Sequence, residues 1–264
     1  MDRFKNNAKT VIIPSTYKGL PVRKIYTSAF FECDMMEEIY LSSSITSIFK
    51  RGPFSGCSSL KRIFVDEGNL NFKSVDGVLY SKDGKALICY PAAKTEKVFD
   101  VPQGVEIVHE YAFWNNPYIT SINIPDGVKE VYDISRCTAL ESITLPNSVT
   151  KFGGFHSCIA LKNVTLSNNI EIIPYQAFYK CTSLESITIP SKVKSIGEFA
   201  FYECVSIDEI VIPDTVTEIY SGAFSNCSSE LTIYSEAASK PEGWEDSWRD
   251  NTVTVVWGHK EGNR

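Results

Sequence analysis

The chain contains no run of eighteen apolar residues, so nothing in it reads as a helical membrane span. It also lacks a basic tract: 26 Lys and Arg stand against 32 Asp and Glu, for a formal net charge of −6. That balance carries none of the electrostatic footprint of nucleic-acid binding, and it argues equally against docking on anionic lipid. Histidine is scarce, with His109, His156 and His259 in unrelated contexts. GxSxG, the phosphate-cradling P-loop, HExxH and paired CxxC are absent. His156 does lie near Cys158, but a nucleophilic dyad needs an exposed, activated thiolate. Catalysis, a cofactor and a bound metal are therefore not expected.

What the sequence has in abundance is period. Phe155, Phe178, Phe201 and Phe224 recur every 23 residues, a spacing that marks a repeat architecture. In residues 181–203 (CTSLESITIPSKVKSIGEFAFYE) the segment Ile187-Thr188-Ile189 alternates as a strand with one buried face. Pro190 has no amide to donate and stops it, and Ser191-Lys192 turn the chain. Val193 and Ile196 form a second, shorter arm, and Ala200-Phe201 are expected in a short helical or 3₁₀ turn. One such coil cannot bury its apolar face alone, so coils must stack.

Three residues after the aromatic position comes a cysteine: Cys33, Cys57, Cys158, Cys181, Cys204 and Cys227 follow Phe30, Phe54, Phe155, Phe178, Phe201 and Phe224. The copy at Phe113 has Asn116 there, and the degenerate copy at Ile134 has Cys137. Both residue types carry a small polar head that can bond backbone in a turn, which predicts an inward ladder. Neighbours in such a ladder lie about 5 Å apart, within disulfide reach. Side chains pointing the same way into a core pack better as thiols, so reduced cysteines are expected. One cysteine per coil does not make a four-ligand zinc cluster.

The pattern Cys/Asn-x-x-Leu-x-x-Ile-x-Ile-Pro, then Val-x-x-Ile, then Ala-Phe resembles the leucine-rich repeats, and within them the BspA-like subfamily of bacterial surface proteins. The resemblance implies a β-rich, right-handed solenoid of stacked coils of about 23 residues, with short helical or 3₁₀ turns. It also implies a non-catalytic protein-binding or adhesion module of an exported bacterial protein, with a host or bacterial surface protein as partner. The alternative is a structural spacer in a larger surface protein. Residues 1–14 hold no apolar leader and no cleavage site, so an extracellular location rests on the resemblance, and a cytoplasmic one is the alternative.

Residues 1–233 read as the solenoid, interrupted at about 68–97 by an insertion in which residues 74–91 form a β-hairpin turned by Asp83-Gly84. The BspA-like family carries a similar DGVLY…DG…YP insertion. The intervals Phe113 to Ile134 and Ile134 to Phe155 are 21 residues each, which predicts a tighter outer turn at Asp133-Ile134-Ser135. Residues 234–258 read as a C-terminal cap and 259–264 as a tail. Trp244 and Trp248 are placed on one face of a short helix there, with a carbohydrate-binding aromatic pair as the other reading.

Strand alternation puts one column of residues outward: Ile12, Tyr40, Phe64, Asp100, Asn123, Thr144, Thr165, Thr188, Val211 and Thr232. Most of it is a Ser/Thr/Asn lawn suited to solvated sheet. The N-terminal part differs, because Tyr40 and Phe64 fall side by side with Glu38 and Arg62 in the flanking column. Exposed aromatics beside an arginine have the composition of a binding hot spot, so these four residues are the candidate partner-binding site. The alternative is that they pack beneath the N-terminal loop or the insertion. Nothing in the pattern fixes an oligomeric state.

Overall fold

The computed structural model describes residues 8–27, 29–49 and 52–260. The start of the expected solenoid (1–7) and the end of the expected tail (261–264) lie outside the described residues. The chain winds as a β-solenoid of about ten turns. One side is a face of parallel strands in three separate hydrogen-bonded sheets. Thr10–Ile13, Glu38–Leu41 and Arg62–Val65 open it, and Val98–Asp100, Ser121–Asn123, Ser142–Thr144, Asn163–Thr165 and Ser186–Ile187 continue it. Glu209–Ile212, Thr232–Ser235 and Thr254–Trp257 follow. Their alternation holds: Val11, Ile39, Ile63, Ile122, Ile143, Val164, Ile187, Ile210 and Ile233 are all buried. A second ribbon of two-residue strands, from Ile107–Val108 to Gly243–Trp244, forms the shorter arm.

The turn after the short arm is not a helix. Its amides alternate between two partners. In residues 174–181, Ala177, Tyr179 and Cys181 donate to carbonyls three residues back in the same coil (Pro174, Gln176 and Phe178). Gln176, Phe178 and Lys180 donate instead to Glu198, Ala200 and Tyr202 of the next coil. Half of the donors thus leave the coil, so no run of helical bonds can form. Gln176 and Lys180 adopt the left-handed conformation (φ 55° and 59°) that this zigzag requires, as do Phe199 and Glu203 one coil later. The short helical turn expected from sequence is replaced by this chain of single turns.

The aromatic position forms a buried column. Phe178 and Phe201 stack at 5.1 Å between ring centres, and Phe201 and Phe224 at 4.9 Å. None of the eight cysteines is joined in a disulfide. The Cys204 thiol donates to the Phe178 carbonyl of the preceding coil at 3.1 Å, and Cys57, Cys137, Cys158, Cys181 and Cys227 make the same bond one coil back at 2.9–3.2 Å. Asn116 does more than a cysteine could. Its amide donates to the Pro91 and Lys94 carbonyls, while its oxygen accepts from the amides of Tyr118 and Ile119. Asn69, which the repeat pattern does not single out, makes an equivalent set of four bonds beneath the coil that ends the first sheet.

Phe72–Val75, Val78–Ser81 and Ala86–Cys89 form an antiparallel meander with turns at Asp76-Gly77 and Asp83-Gly84, so two hairpins are present. The last of these strands pairs in parallel with Ile107–Val108 and seeds the short-arm ribbon. The meander also parts the interior. Leu79 belongs to the core of the first coils, and Val78 and Tyr80 to the larger core behind them.

Beyond Tyr234 the helix expected to carry Trp244 and Trp248 is absent. Trp244 instead occupies the short-arm position opposite Ile219, and the Trp248 ring meets Phe224 edge-on at 5.7 Å. The two tryptophans therefore cover the end of the core, and both are buried. A surface aromatic pair for carbohydrate does not exist there. The backbone stays bonded as far as His259, whose amide donates to Ser235.

Phe201→Ala should cost about 3–5 kcal/mol of stability in urea unfolding, the usual range for an emptied aromatic site in a close-packed core. Asn116→Cys should cost about 2–4 kcal/mol, because one thiol cannot replace four hydrogen bonds in a buried turn. A neutral Asn116→Cys substitution would contradict the assignment of those bonds.

Candidate interaction face of the parallel sheet

The first three sheet strands pair in one register, so Ile12, Tyr40 and Phe64 form a row, with Thr10, Glu38 and Arg62 in the next row but one. The buried neighbours Val11, Ile39 and Ile63 fix these strands, and alternation turns Ile12, Tyr40 and Phe64 outward. The Tyr40 and Phe64 rings stack at 4.4 Å with 13° between planes. Ile12 is 71% exposed and Tyr40 37%, while Phe64 is half-buried. The Tyr40 hydroxyl donates to Glu38 at 3.4 Å, and burial, then the Glu38 charge, raises its pKa above the usual phenol value.

The insertion lies beside the third strand of the row. Its Asp76-Gly77 turn rests on Arg62, where a Cβ on Gly77 would come within 3.0 Å of the Arg62 side chain. The Ser74 hydroxyl and the Gly77 carbonyl bond the backbone of Ile63. Behind the row, Glu37 bridges Lys9 at 2.8 Å and Lys61 at 2.7 Å, tying three coils together. Those two ammonium groups hold its carboxyl down at about 2.

The row floors a shallow depression of about 540 Å³ along the strand ends, rimmed by Ser42, Ser43, Asp66 and Glu67. Sequence reasoning missed this acidic rim because it belongs to the turn after each strand, outside the alternating columns. It also misplaced the far end of the face. Thr232 pairs with Glu209, and the residue opposite Val211 is Tyr234, followed by Val256. Cys227 is followed by Leu231 after four residues, where Cys204 is followed by Ile207 after three. Even so, Ile233 lies six residues after its cysteine, as Ile210 does, so the 23-residue period itself sets Ile233 opposite Ile210 and Tyr234 opposite Val211. The outward column therefore carries apolar residues at both ends, with Asn123, Thr144 and Thr165 exposed between them.

Cys158 and His156 sit on the turn side. Burial raises the Cys158 thiol well above its usual range, and His156 packs edge-on against Tyr179 at 5.1 Å. Among the described residues no group of three His, Cys, Asp or Glu could hold a metal, and no helix is long and apolar enough to cross a membrane.

The family described as "BspA type Leucine rich repeat region" matches residues 3–76, 92–154 and 153–238, in six copies. No curated protein matches the chain. Among solved structures, a leucine-rich repeat protein from Eubacterium ventriosum superposes with a TM-score of 0.75 at 23% identity, over 95% of this chain and 65% of its own. A leucine rich cell surface protein from Faecalibacterium prausnitzii gives 0.59 at 26% identity, over 93% and 62%. The pneumococcal vaccine antigen PcpA gives 0.60 at 20%, over 96% and 69%. The chain thus spans less than two thirds of the first two relatives.

Replacing Tyr40 and Phe64 together by alanine should leave the circular dichroism spectrum unchanged. The urea midpoint should move far less than for Phe201→Ala, because the pair sits outside the core. A collapse of the fold in that variant would make the row a packing element instead of a free surface.

Proposed function

Because the chain belongs to the BspA-type leucine-rich repeat family, we propose that it is a non-catalytic protein-binding module of a bacterial surface protein. Its partner seats on the Ile12–Tyr40–Phe64 row. The observation that carries this reading is that row: three apolar side chains in one register, Ile12 and Tyr40 exposed and Phe64 half-buried, the last two a stacked aromatic pair. An exposed apolar strip of this kind has no role in the solenoid's own core, whose inward residues are already complete. Arg62 and Glu38 at one end and Asp66 and Glu67 at the other provide polar groups around an apolar centre, the usual layout of a binding patch.

A cell-surface location is supported by the family and by the likeness to the F. prausnitzii cell surface protein. Adhesion is the finer reading, with a host or neighbouring bacterial protein as partner. A spacer role is the competing one, and the solvated Ser/Thr/Asn middle of the sheet is what such a spacer would present throughout.

The test is surface plasmon resonance of the full chain against a panel of purified extracellular host and bacterial surface proteins, with the Tyr40/Phe64 double alanine variant beside it. Binding of a panel member should weaken at least about tenfold in the variant, as expected when hot-spot aromatics are truncated. Equal binding by both proteins would remove the row from the interface. No binding by either would favour the spacer.

A further inference from the structure

Two coils are shorter than their neighbours, and the deletion falls at one corner. From the short arm to the aromatic column, Val108 to Phe113 and Ile173 to Phe178 are five steps, whereas Val131 to Ile134 and Phe152 to Phe155 are three. The residues lost correspond to Glu110-Tyr111 on one side and Tyr175-Gln176 on the other. Two adjacent coils therefore recede between two that do not, leaving a notch of about 400 Å³. Three coil steps of roughly 4.8 Å separate its banks, a width suited to a side chain or small molecule. Gly153 keeps the floor low, since a Cβ there would lie 2.7 Å from the Asp133 amide nitrogen.

The chemistry of the notch is lopsided. Tyr111 and Trp114 meet edge to face at 4.8 Å on one bank, Tyr175 stands on the other, and Tyr132 lies on the floor. The charged side chains lining it are the carboxylates Glu110 and Asp133, and no lysine or arginine joins them. Neither carboxylate is in an ion pair among the described residues. Of the nearby cations, Lys180 pairs with Glu203 at 3.6 Å, while Arg136 already lies over one of the notch's own rings, Trp114, at 5.1 Å. His156, also on the floor, has its pKa lowered by burial and by Arg136 and Lys180, which keeps it neutral near pH 7. Asp133 accepts a hydrogen bond from Ser135, yet burial, reinforced by Glu110, pushes its carboxyl up to about 6.

Ring faces and uncompensated carboxylates both attract a cation with an apolar surround. The geometry points to a site for an organic ammonium group, seated against the Tyr111 and Tyr132 rings beside Trp114 and held by Glu110 and Asp133. This site lies on the turn side of the coils, apart from the sheet row, and stands whether or not that row binds a protein. A neutral sugar could stack on the rings and donate hydroxyls to the carboxylates, but it would lack the charge attraction that a cation gains there.

The test uses the full chain at pH 7.5 and follows the indole N–H resonance of Trp114, assigned with Trp114→Phe. Choline chloride and Nα-acetyl-lysine methylamide are titrated separately at matched ionic strength, with methyl glucoside as the neutral probe. At least one amine should give a saturable shift. Glu110→Gln and Asp133→Asn should each weaken it by about five- to tenfold. Binding should also fall as pH drops through about 6, where Asp133 takes up a proton. Saturation by choline alone assigns a free quaternary amine, and saturation by the lysine derivative assigns a protein side chain. The proposal is overturned if neither amine saturates, if the glucoside shifts the resonance equally, or if Glu110→Gln, which leaves the floor untouched, binds as the wild type does.

Discussion

Each coil closes on the carbonyl of its aromatic residue. The Phe178 oxygen accepts the Cys181 amide of its own coil at 3.0 Å and the Cys204 thiol of the next coil at 3.1 Å. Phe155 and Phe201 are used in the same way by Cys158 with Cys181 and by Cys204 with Cys227. A thiol is a weak donor, so this bond adds little energy by itself. Its value is local: the thiol is small enough for a close-packed turn and polar enough to satisfy a carbonyl sealed from water. The stabilising energy comes from the phenylalanine and aliphatic columns, and the thiol lets them stack without leaving a buried acceptor bare.

Much of this was legible in the sequence because it is local and repeated. The 23-residue spacing of Phe155, Phe178, Phe201 and Phe224 and the Ile-x-Ile alternation follow from the demand that each coil present the same face. The turns were harder to read. Ala177 and Phe178 look like a helical pair in sequence, but one amide bonds within its coil and the next bonds across to Ala200, a partner no window around Phe178 contains. The register at Thr232 failed for a simpler reason: the 23-residue spacing from Val211 reaches Tyr234, and placing Thr232 in the outward column departed from that spacing by two residues.

The candidate surfaces follow the same division. Tyr40 and Phe64 meet because both obey the period, so adjacency could be argued before any coordinates. The acidic rim at Asp66 and Glu67 and the second apolar end at Tyr234 and Val256 depend on turn geometry and on the irregular last coils. The notch between Glu110 and Gln176 was visible in sequence as two short coils. What lines it was not, because its banks come from coils three steps apart. In this fold regularity builds the core, and departures from regularity build the places where something else could sit. The meander at 72–89, the short coils and the aromatic terminal coil are three such departures.

The central claim is that the thiols lie inside the stack as reduced members of a continuous ladder. Burial raises Cys181 to about 12 and Cys158 and Cys204 well above the ordinary thiol range, so their thiolates should be inaccessible in the folded chain. Alkylation of the native protein under air, read site by site by mass spectrometry, tests this directly. Cys57, Cys158, Cys181 and Cys204 should resist modification until denaturant unfolds the chain, and should then all react as free thiols. Rapid labelling of these four in native buffer, or recovery of disulfides linking neighbouring coils, would contradict it.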